Sequence, residues 1–269
     1  MKDAGLKIKC NCNSIFIKKK FLYFSKPKDE KPFKINGPYS REFNECTKCK
    51  HMFAKHNFSI NKVYSQEYLN LVYKDEFGID KRFNYINNLP ISLSDNKKRA
   101  LRIHNFFFKK KRLKLLDVGS GIGLFMNEMK KKNWSVSGIE LDDRYVDYCK
   151  KKHNLKVRNI SLNLLPKINK FDLITFNKVL EHLKSPYKLL KQAVLRLKKN
   201  GIIYVEVPHT AATKKGKYRQ EFGLEHFHVF SKISLSNMIS KSGLAVIDIK
   251  SILEPSGKYT IFVFARKKI

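Results

Sequence analysis

Long apolar runs are absent from this 269-residue chain, in which no stretch approaches the about 20 residues that cross a bilayer. Residues 1–5 lack the apolar core and small-residue cleavage pattern of a secretory leader. Cysteine is scarce, five residues with no spacing that reads as a disulfide framework, which points to a reducing compartment. The expected setting is the cytoplasm. Acidic residues are few, 23 against 56 Lys and Arg, so the formal charge is +33. Internal repeats and low-complexity tracts are missing as well. What remains is an ordinary globular composition, 42% hydrophobic, long enough for one substantial α/β domain and a smaller appendage.

The charge invites a nucleic-acid partner, because basic surfaces release counterions from phosphate backbones. The excess is mostly lysine, however, and it is scattered rather than gathered in a stripe. Arginine is the side chain favoured for bidentate phosphate and base contacts. A lysine-, asparagine- and isoleucine-rich chain is also what an AT-rich coding sequence gives. Nucleic acid is therefore possible as a partner but not favoured, and a phosphate-bearing small molecule would profit from the same field.

The chain is organised around residues 115–123, Leu-Leu-Asp-Val-Gly-Ser-Gly-Ile-Gly. Apolar residues lead into Asp117, Gly119, Gly121 and Gly123 follow at alternate positions around Ser120, and a helical pattern begins at Leu124. This predicts a buried strand, a tight turn and a helix N-terminus with free N–H groups. A dinucleotide fingerprint would need glycine where Leu124 stands, and a phosphate-binding P-loop would need Gly-Lys-Ser/Thr. Neither is present. The next predicted strand, 135–139, ends in Glu140, a carboxylate placed to accept ribose hydroxyls at a strand tip. Leu141 beside it can cover an adenine face. A further buried strand, 171–177, ends in Asn177 and runs into Lys178-Val-Leu-Glu-His-Leu183. The strand at 201–207 follows.

These three blocks resemble the motifs of class I S-adenosylmethionine (SAM) dependent methyltransferases, of the Methyltransf_23 kind, over roughly residues 113–266. The resemblance implies a Rossmann-like, doubly wound, seven-stranded and mostly parallel α/β sheet, closed by an antiparallel hairpin from 244–253 and 258–266. It implies SAM as cofactor, bound by Asp117, Gly119, Ser120, Gly121, Gly123, Glu140, Leu141 and Asn177. Asn159 and Ser161 stand where the family has an acid near the adenine.

Three segments are expected: a cysteine-rich element at 1–60, a helical linker and cover at 61–112, and the methyltransferase domain at 113–269. In the first, Cys10-x-Cys12 and Cys46-x-x-Cys49 can supply four thiolates to a structural Zn²⁺, with free thiols in a small β element as the alternative. His51 and His56 are nearby substitutes. The segment also resembles the cysteine-rich N-terminal part of some bacterial enzymes of sugar and surface-polysaccharide biosynthesis. In the cover, an aromatic helix through Tyr64, Tyr68 and Tyr73 to Phe77 is expected to stop at Gly78. Ser94 should cap a second helix running to about Lys111.

An oxygen nucleophile needs a base, and His is its usual supplier. His182, His209, His226 and His228 are the candidates, with His226 first and His182 second as catalytic residues. A catalytic metal is disfavoured, because Lys178 stands where some relatives have the first acid of a Glu-x-x-Glu-His motif. Base-amino methylation lacks its Asn/Asp-Pro-Pro-aromatic signature, and the only cysteine of the domain, Cys149, reads as a packing residue. The expected activity is methyl transfer to a hydroxyl or amine of a small molecule, by resemblance a sugar or nucleotide sugar of a surface glycan. The chain is too short for the large C-terminal domain of sugar C-methyltransferases. An RNA-directed methyltransferase and a non-catalytic SAM-binding accessory protein are the alternatives.

Overall fold

The computed structural model describes residues 10, 12–28, 30, 38–58, 76–108 and 112–268. In chain order its elements are β1 (Ile17–Tyr23), β2 (Arg41–Cys46), β3 (Met52–His56), α1 (Glu76–Asn88), α2 (Asp95–Phe106), β4 (Lys114–Val118), α3 (Leu124–Lys131), β5 (Ser135–Glu140) and α4 (Asp143–His153). They continue with β6 (Val157–Asn159), β7 (Phe171–Asn177), α5 (Pro186–Val194), β8 (Leu197–Pro208), β9 (His228–Val229), α6 (Lys232–Lys241), β10 (Leu244–Leu253) and β11 (Tyr259–Lys267).

Strand β4 is buried from Leu115 onward, as befits a central strand covered on both faces. It pairs in parallel with β5 on one side and β7 on the other. The whole sheet has seven strands in the order β10-β11-β8-β7-β4-β5-β6, in which β11 alone runs antiparallel to its neighbours β8 and β10. Alternate residues feed opposite faces, as a pleated strand requires. Leu116, Ile174, Ile203 and Val263 pack with Leu190 of α5 and Leu235 of α6. Leu115, Leu173, Tyr204 and Phe264 pack with Ile103 of α2 and Met126 of α3. Strand order reverses beside β4, so a crevice opens at the strands' C-terminal ends.

The expected doubly wound sheet and its closing hairpin are both present. Ser94 caps α2 as expected, its Oγ accepting from Lys97 N–H at 3.2 Å. Two punctuation marks are corrected. Gly78 does not stop a helix: it lies inside α1, where Ile79 and Phe83 anchor the helix against Ile122 and Tyr148. Packing of that face outweighs the roughly 1 kcal/mol propensity cost of a glycine. The earlier part of the predicted aromatic helix, residues 64–73, lies outside the described residues, and α2 ends at Phe106, short of the expected Lys111, with Phe107 as its C-cap. Residues 198–201, Lys-Lys-Asn-Gly, have the sequence pattern of a helix stop but do not end a helix either. α5 stops at Val194, and these residues belong to β8 at a register shift, where a Cβ on Gly201 would come within 2.9 Å of the Phe171 carbonyl oxygen.

A second sheet, four antiparallel strands in the order β1-β2-β3-β9, joins the two ends of the chain. Its fourth strand comes from beyond the seven-stranded sheet's β8, pairing Met52 with Val229 and Phe53 with His228. Tyr23, Phe43 and Met52 pack with Phe222 and Val229 behind it. Among the described residues no helix is long and apolar enough to cross a membrane.

Candidate functional site

The glycine turn leaves β4 in a conformation that side chains rarely adopt: Gly119, Gly121 and Gly123 have φ of 72°, 52° and 80°. Gly119 and Ser120 donate their N–H groups to the Ile139 carbonyl, at 2.9 and 3.2 Å, which lays the turn across the tip of β5. Glu140 completes that tip. Its Oε2 accepts from Gly121 N–H at 2.8 Å, and its Oε1 from Leu141 N–H at 2.7 Å and Asp142 N–H at 3.1 Å. Leu141 stands out beside it, 72% exposed.

Gly119, Glu140, Leu141 and Ser161 help line a cleft of about 2450 Å³. Asp117 and Asn177 lie beneath it. Asp117 Oδ1 accepts from Thr175 Oγ1 at 2.7 Å and from Asn177 Nδ2 at 2.9 Å, and burial pushes its carboxyl up to about 7. Gly123 is a packing position, where a Cβ would come within 2.7 Å of Leu155 Cδ1 and 2.8 Å of Cys149 Sγ. Ser120 is buried, and Asn159 donates to the Glu140 and Leu141 carbonyls at 3.2 and 2.9 Å, which braces the tip of β5.

The same cleft is also lined by Lys178, Glu181, His182 and His226, with Tyr218, Phe222 and Tyr259. One ligand atom from each of Glu181, His182 and His226 lies within 4.8 Å of the others. Glu181 is fully buried, both of its carboxylate oxygens lack a hydrogen-bond partner, and burial raises its carboxyl. Each imidazole is aimed by its backbone: His226 Nδ1 lies 2.9 Å from the Glu221 carbonyl oxygen and His182 Nδ1 3.0 Å from that of Glu225. An Nδ1–H tautomer satisfies both carbonyls and makes Nε2 the basic atom. Burial and the adjacent His182 push His226 down to about 3. His228 is turned away into the protein, where its Nδ1 meets His51 Nε2 at 3.1 Å. His209 does not line the cleft. Of the four histidines singled out in the sequence, the fold thus gathers two.

Lys178 has a left-handed backbone, φ 60°, and its Nζ donates to Thr260 Oγ1 at 2.5 Å. Beneath it, Glu206 is fully buried and bonded by the Arg99 fork, by Arg102 Nη1 at 3.1 Å and by Tyr204 OH at 2.7 Å; against the effect of burial, the charges of Arg99, Lys178 and Arg102 hold its carboxyl well below the usual range. The N-terminal part of the chain also walls the cleft, through Lys26, Lys28 and Glu30, while α1 contributes Lys81 and Arg82. Nothing in the sequence marked these residues, because the β3–β9 pairing that brings the N-terminal sheet here rests on two residues far along the chain.

The four N-terminal cysteines also converge. Cys10 and Cys49 have Sγ atoms 3.5 Å apart, Cys12 and Cys46 3.6 Å apart, and all four lie within 4.8 Å of one another.

A family model described as a methyltransferase domain matches residues 92–249. The ubiquinone biosynthesis O-methyltransferase of Pelagibacter ubique (strain HTCC1062) is 29% identical over 155 residues, covering 55% of this chain and 65% of that protein. The protein of the same name from Coxiella burnetii (strain Dugway 5J108-111) is 28% identical over 96 residues, 34% of this chain and 41% of that one. The chain thus spans less than two thirds of these relatives' lengths. Among solved structures, magnesium protoporphyrin IX methyltransferase from Synechocystis PCC 6803 with bound SAH superposes with a TM-score of 0.59 at 11% identity, over 77% of this chain and 100% of that one. The 1,6-didemethyltoxoflavin-N1-methyltransferase of Burkholderia thailandensis gives 0.56 at 12% identity, over 84% and 99%. At such identities the two structures establish a common fold.

Proposed function

This chain belongs to the methyltransferase-domain family, and from that premise we propose that it transfers a methyl group from SAM to a hydroxyl of a small-molecule acceptor. The observation that carries the reading is a single cleft lined both by Gly119 and Glu140 and by Glu181, His182 and His226. The first group fits the cofactor. Glu140 Oε2 accepts only one N–H, which leaves a lone pair for a ribose hydroxyl, and Leu141 is an apolar side chain in water that an adenine would cover. The turn beside Gly119 brings bare backbone to the methionyl end, above Asp117.

SAM supplies an electrophilic methyl on a sulfonium; the protein's part is to align acceptor and donor and to keep water out. His226 takes the acceptor proton on Nε2, with His182 the second choice. An imidazole near 3 is a weak base by itself, and a base works best with a pKa near the working pH. Proton transfer puts an imidazolium within 4.8 Å of Glu181, whose ionised form then stabilises it. A second reading comes from the same atoms. A buried carboxylate with two unpartnered oxygens beside two imidazoles is a donor set for a divalent cation. Lys178, close enough to favour the ionised form of Glu181, opposes a divalent cation there more strongly than the single charge of an imidazolium, so the proton-transfer reading is preferred.

An oxygen acceptor is supported by the Pelagibacter and Coxiella relatives, which are named as O-methyltransferases. A sugar or nucleotide sugar suits the cations at the rim, Lys26, Lys28, Lys81, Arg82 and Lys258; a hydroxylated aromatic ring suits Tyr218, Phe222 and Tyr259. We assign cofactor binding to residues 113–269 and part of the acceptor wall to the cysteine-rich 1–60 segment. The cysteines, all free, suit the cytoplasm. The test is incubation with methyl-labelled SAM and separate pools of sugar nucleotides, hydroxylated aromatics, lipid and RNA, beside calorimetry of SAM binding to the wild type and Glu140→Ala. Label in RNA alone overturns the small-molecule reading. Tight SAM binding without label in any pool supports an accessory protein, and unchanged affinity in Glu140→Ala refutes the cofactor end.

A further inference from the structure

We propose that Cys10, Cys12, Cys46 and Cys49 hold one zinc ion, and that this ion pins the acceptor-side wall of the cleft to the N-terminal sheet.

The sulfur geometry is that of a tetrathiolate. A disulfide needs its sulfurs about 2.05 Å apart, whereas the two close pairs here stand at 3.5 and 3.6 Å. A zinc ion with bonds of about 2.3 Å to four thiolates places them about 3.8 Å apart at tetrahedral angles. The sulfurs are already near those edges, all within 4.8 Å of one another. Cys46, Cys49 and Cys10 are 0%, 1% and 4% exposed, and among the described residues the cluster they form with Cys12 has Ile17 as its one further apolar partner. Four thiols make a poor core, being small and weak in hydrogen bonding.

The backbone is shaped to the same end. Both pairs close with a left-handed residue directly after the second cysteine, Asn13 at φ 67° and Lys50 at φ 58°. Asn13 N–H donates to the Cys10 carbonyl and Lys50 N–H to that of Cys46, each at 2.8 Å. The single residue between Cys10 and Cys12 is accommodated because each of them faces a different member of the second pair.

The site is tied to the cleft by an unbroken run of main-chain contacts. Ser231 Oγ donates to the Cys49 carbonyl, and Cys46 N–H donates to the His51 carbonyl at 2.8 Å. Strand β3 begins at the next residue and pairs with β9. One step further Ala54 N–H donates to the Phe227 carbonyl at 2.9 Å, and Phe227 N–H donates to the Glu181 carbonyl at 2.7 Å. His226 precedes Phe227. The metal cluster therefore sets the position of β3, β3 sets the 225–229 segment, and that segment carries His226 and braces Glu181. Only the functional meaning of this wall rests on the methyl-transfer reading; the metal and the coupling do not.

The test uses the full chain, expressed with zinc and purified without chelator. Elemental analysis should give one zinc per chain, kept by Cys149→Ser, and titration with an organomercurial should release it. Replacement of the metal in the wild type by Co²⁺ should produce thiolate-to-cobalt charge-transfer absorption and tetrahedral d–d bands, a readout independent of whether Cys46→Ser or Cys49→Ser variants fold. On metal removal the Ala54 and Phe227 amides should lose hydrogen-exchange protection by at least about tenfold, while the Leu115–Val118 amides and SAM affinity stay within about twofold. Metal far below one per chain with four freely reactive thiols overturns the site. Stoichiometric iron overturns its assignment to zinc. Zinc removal that leaves Ala54 and Phe227 protected overturns the coupling, even if methyl transfer itself is never detected.

Discussion

Asp117 offers a sharp test of how the cofactor end works, because its proton and the cofactor's charge compete for one place. Its carboxyl is 2% exposed, and burial outweighs the help of Thr175 and Asn177, raising it to about 7. An unfolded aspartate titrates near 4. The raised value means that Asp117 favours the unliganded fold most at low pH and withdraws that contribution as pH climbs from about 4 through 7. A methionyl ammonium placed against it reverses the preference, since an adjacent cation favours the carboxylate. Binding must then expel the proton wherever the unliganded protein holds it. With a value of about 7 free and an ordinary one bound, SAM affinity should rise roughly 25-fold between about pH 5.5 and 7.5, or about 1.9 kcal/mol. Calorimetry near pH 6, in buffers of different ionisation enthalpy, should count about 0.9 proton released per SAM bound. Asp117→Asn keeps an acceptor for Thr175 and should flatten the profile. The ammonium of SAM titrates near 8, above this window. An affinity indifferent to pH, or a slope that survives in Asp117→Asn, refutes the reasoning.

Gly123→Ala should cost about 1–3 kcal/mol of stability in urea melts, since its φ is 80° and the new methyl would meet Leu155 and Cys149; a neutral result would mean the turn can re-form. Glu206→Gln strands Arg99 and Arg102 in the interior and should destabilise by about 3–5 kcal/mol, roughly 10 °C by calorimetry. A loss below about 1 kcal/mol would show the network to be replaceable. His226→Asn should lower kcat by about 10²–10³-fold on an identified acceptor with SAM affinity unchanged, and an unaltered kcat would pass the base role to His182. With the four-cysteine zinc kept in place, dialysis against a weak chelator should leave the rate intact; a rate restored only by added divalent cations would select the metal reading of Glu181, His182 and His226 instead.

The seven-stranded sheet was legible because its evidence is local. The Leu115–Val118 run, the three alternating glycines, Glu140 at a strand tip and the Ser94 cap each express themselves within a few residues, and each has the expected structural counterpart. Gly78 misled because propensity says nothing of the partners that Ile79 and Phe83 find. The site was legible in part. Sequence gathered His182, His209, His226 and His228 by type, but only tertiary placement separates the two in the cleft from His228, paired with His51, and from His209. The depth of Asp117 and Asn177 below the turn was equally hidden, since residues in the same motif face opposite sides of the sheet. The N-terminal wall had no local signal, because a two-residue strand such as β9 carries no period to read.

That short strand also imposes an order of events on synthesis. β1, β2 and β3 leave the ribosome long before residues 228–229 exist, so the hairpins wait with the β3 edge open, and Met52 and Phe53 have no neighbour there until the chain has grown past Val229. Closure of the first-made sheet is therefore among the last contacts available to the nascent protein. A ribosome stalled before Val229 would hold an adhesive, unfinished N-terminus, and shortening the chain to its nucleotide-type half would expose the Phe222 and Val229 side chains that this sheet now covers.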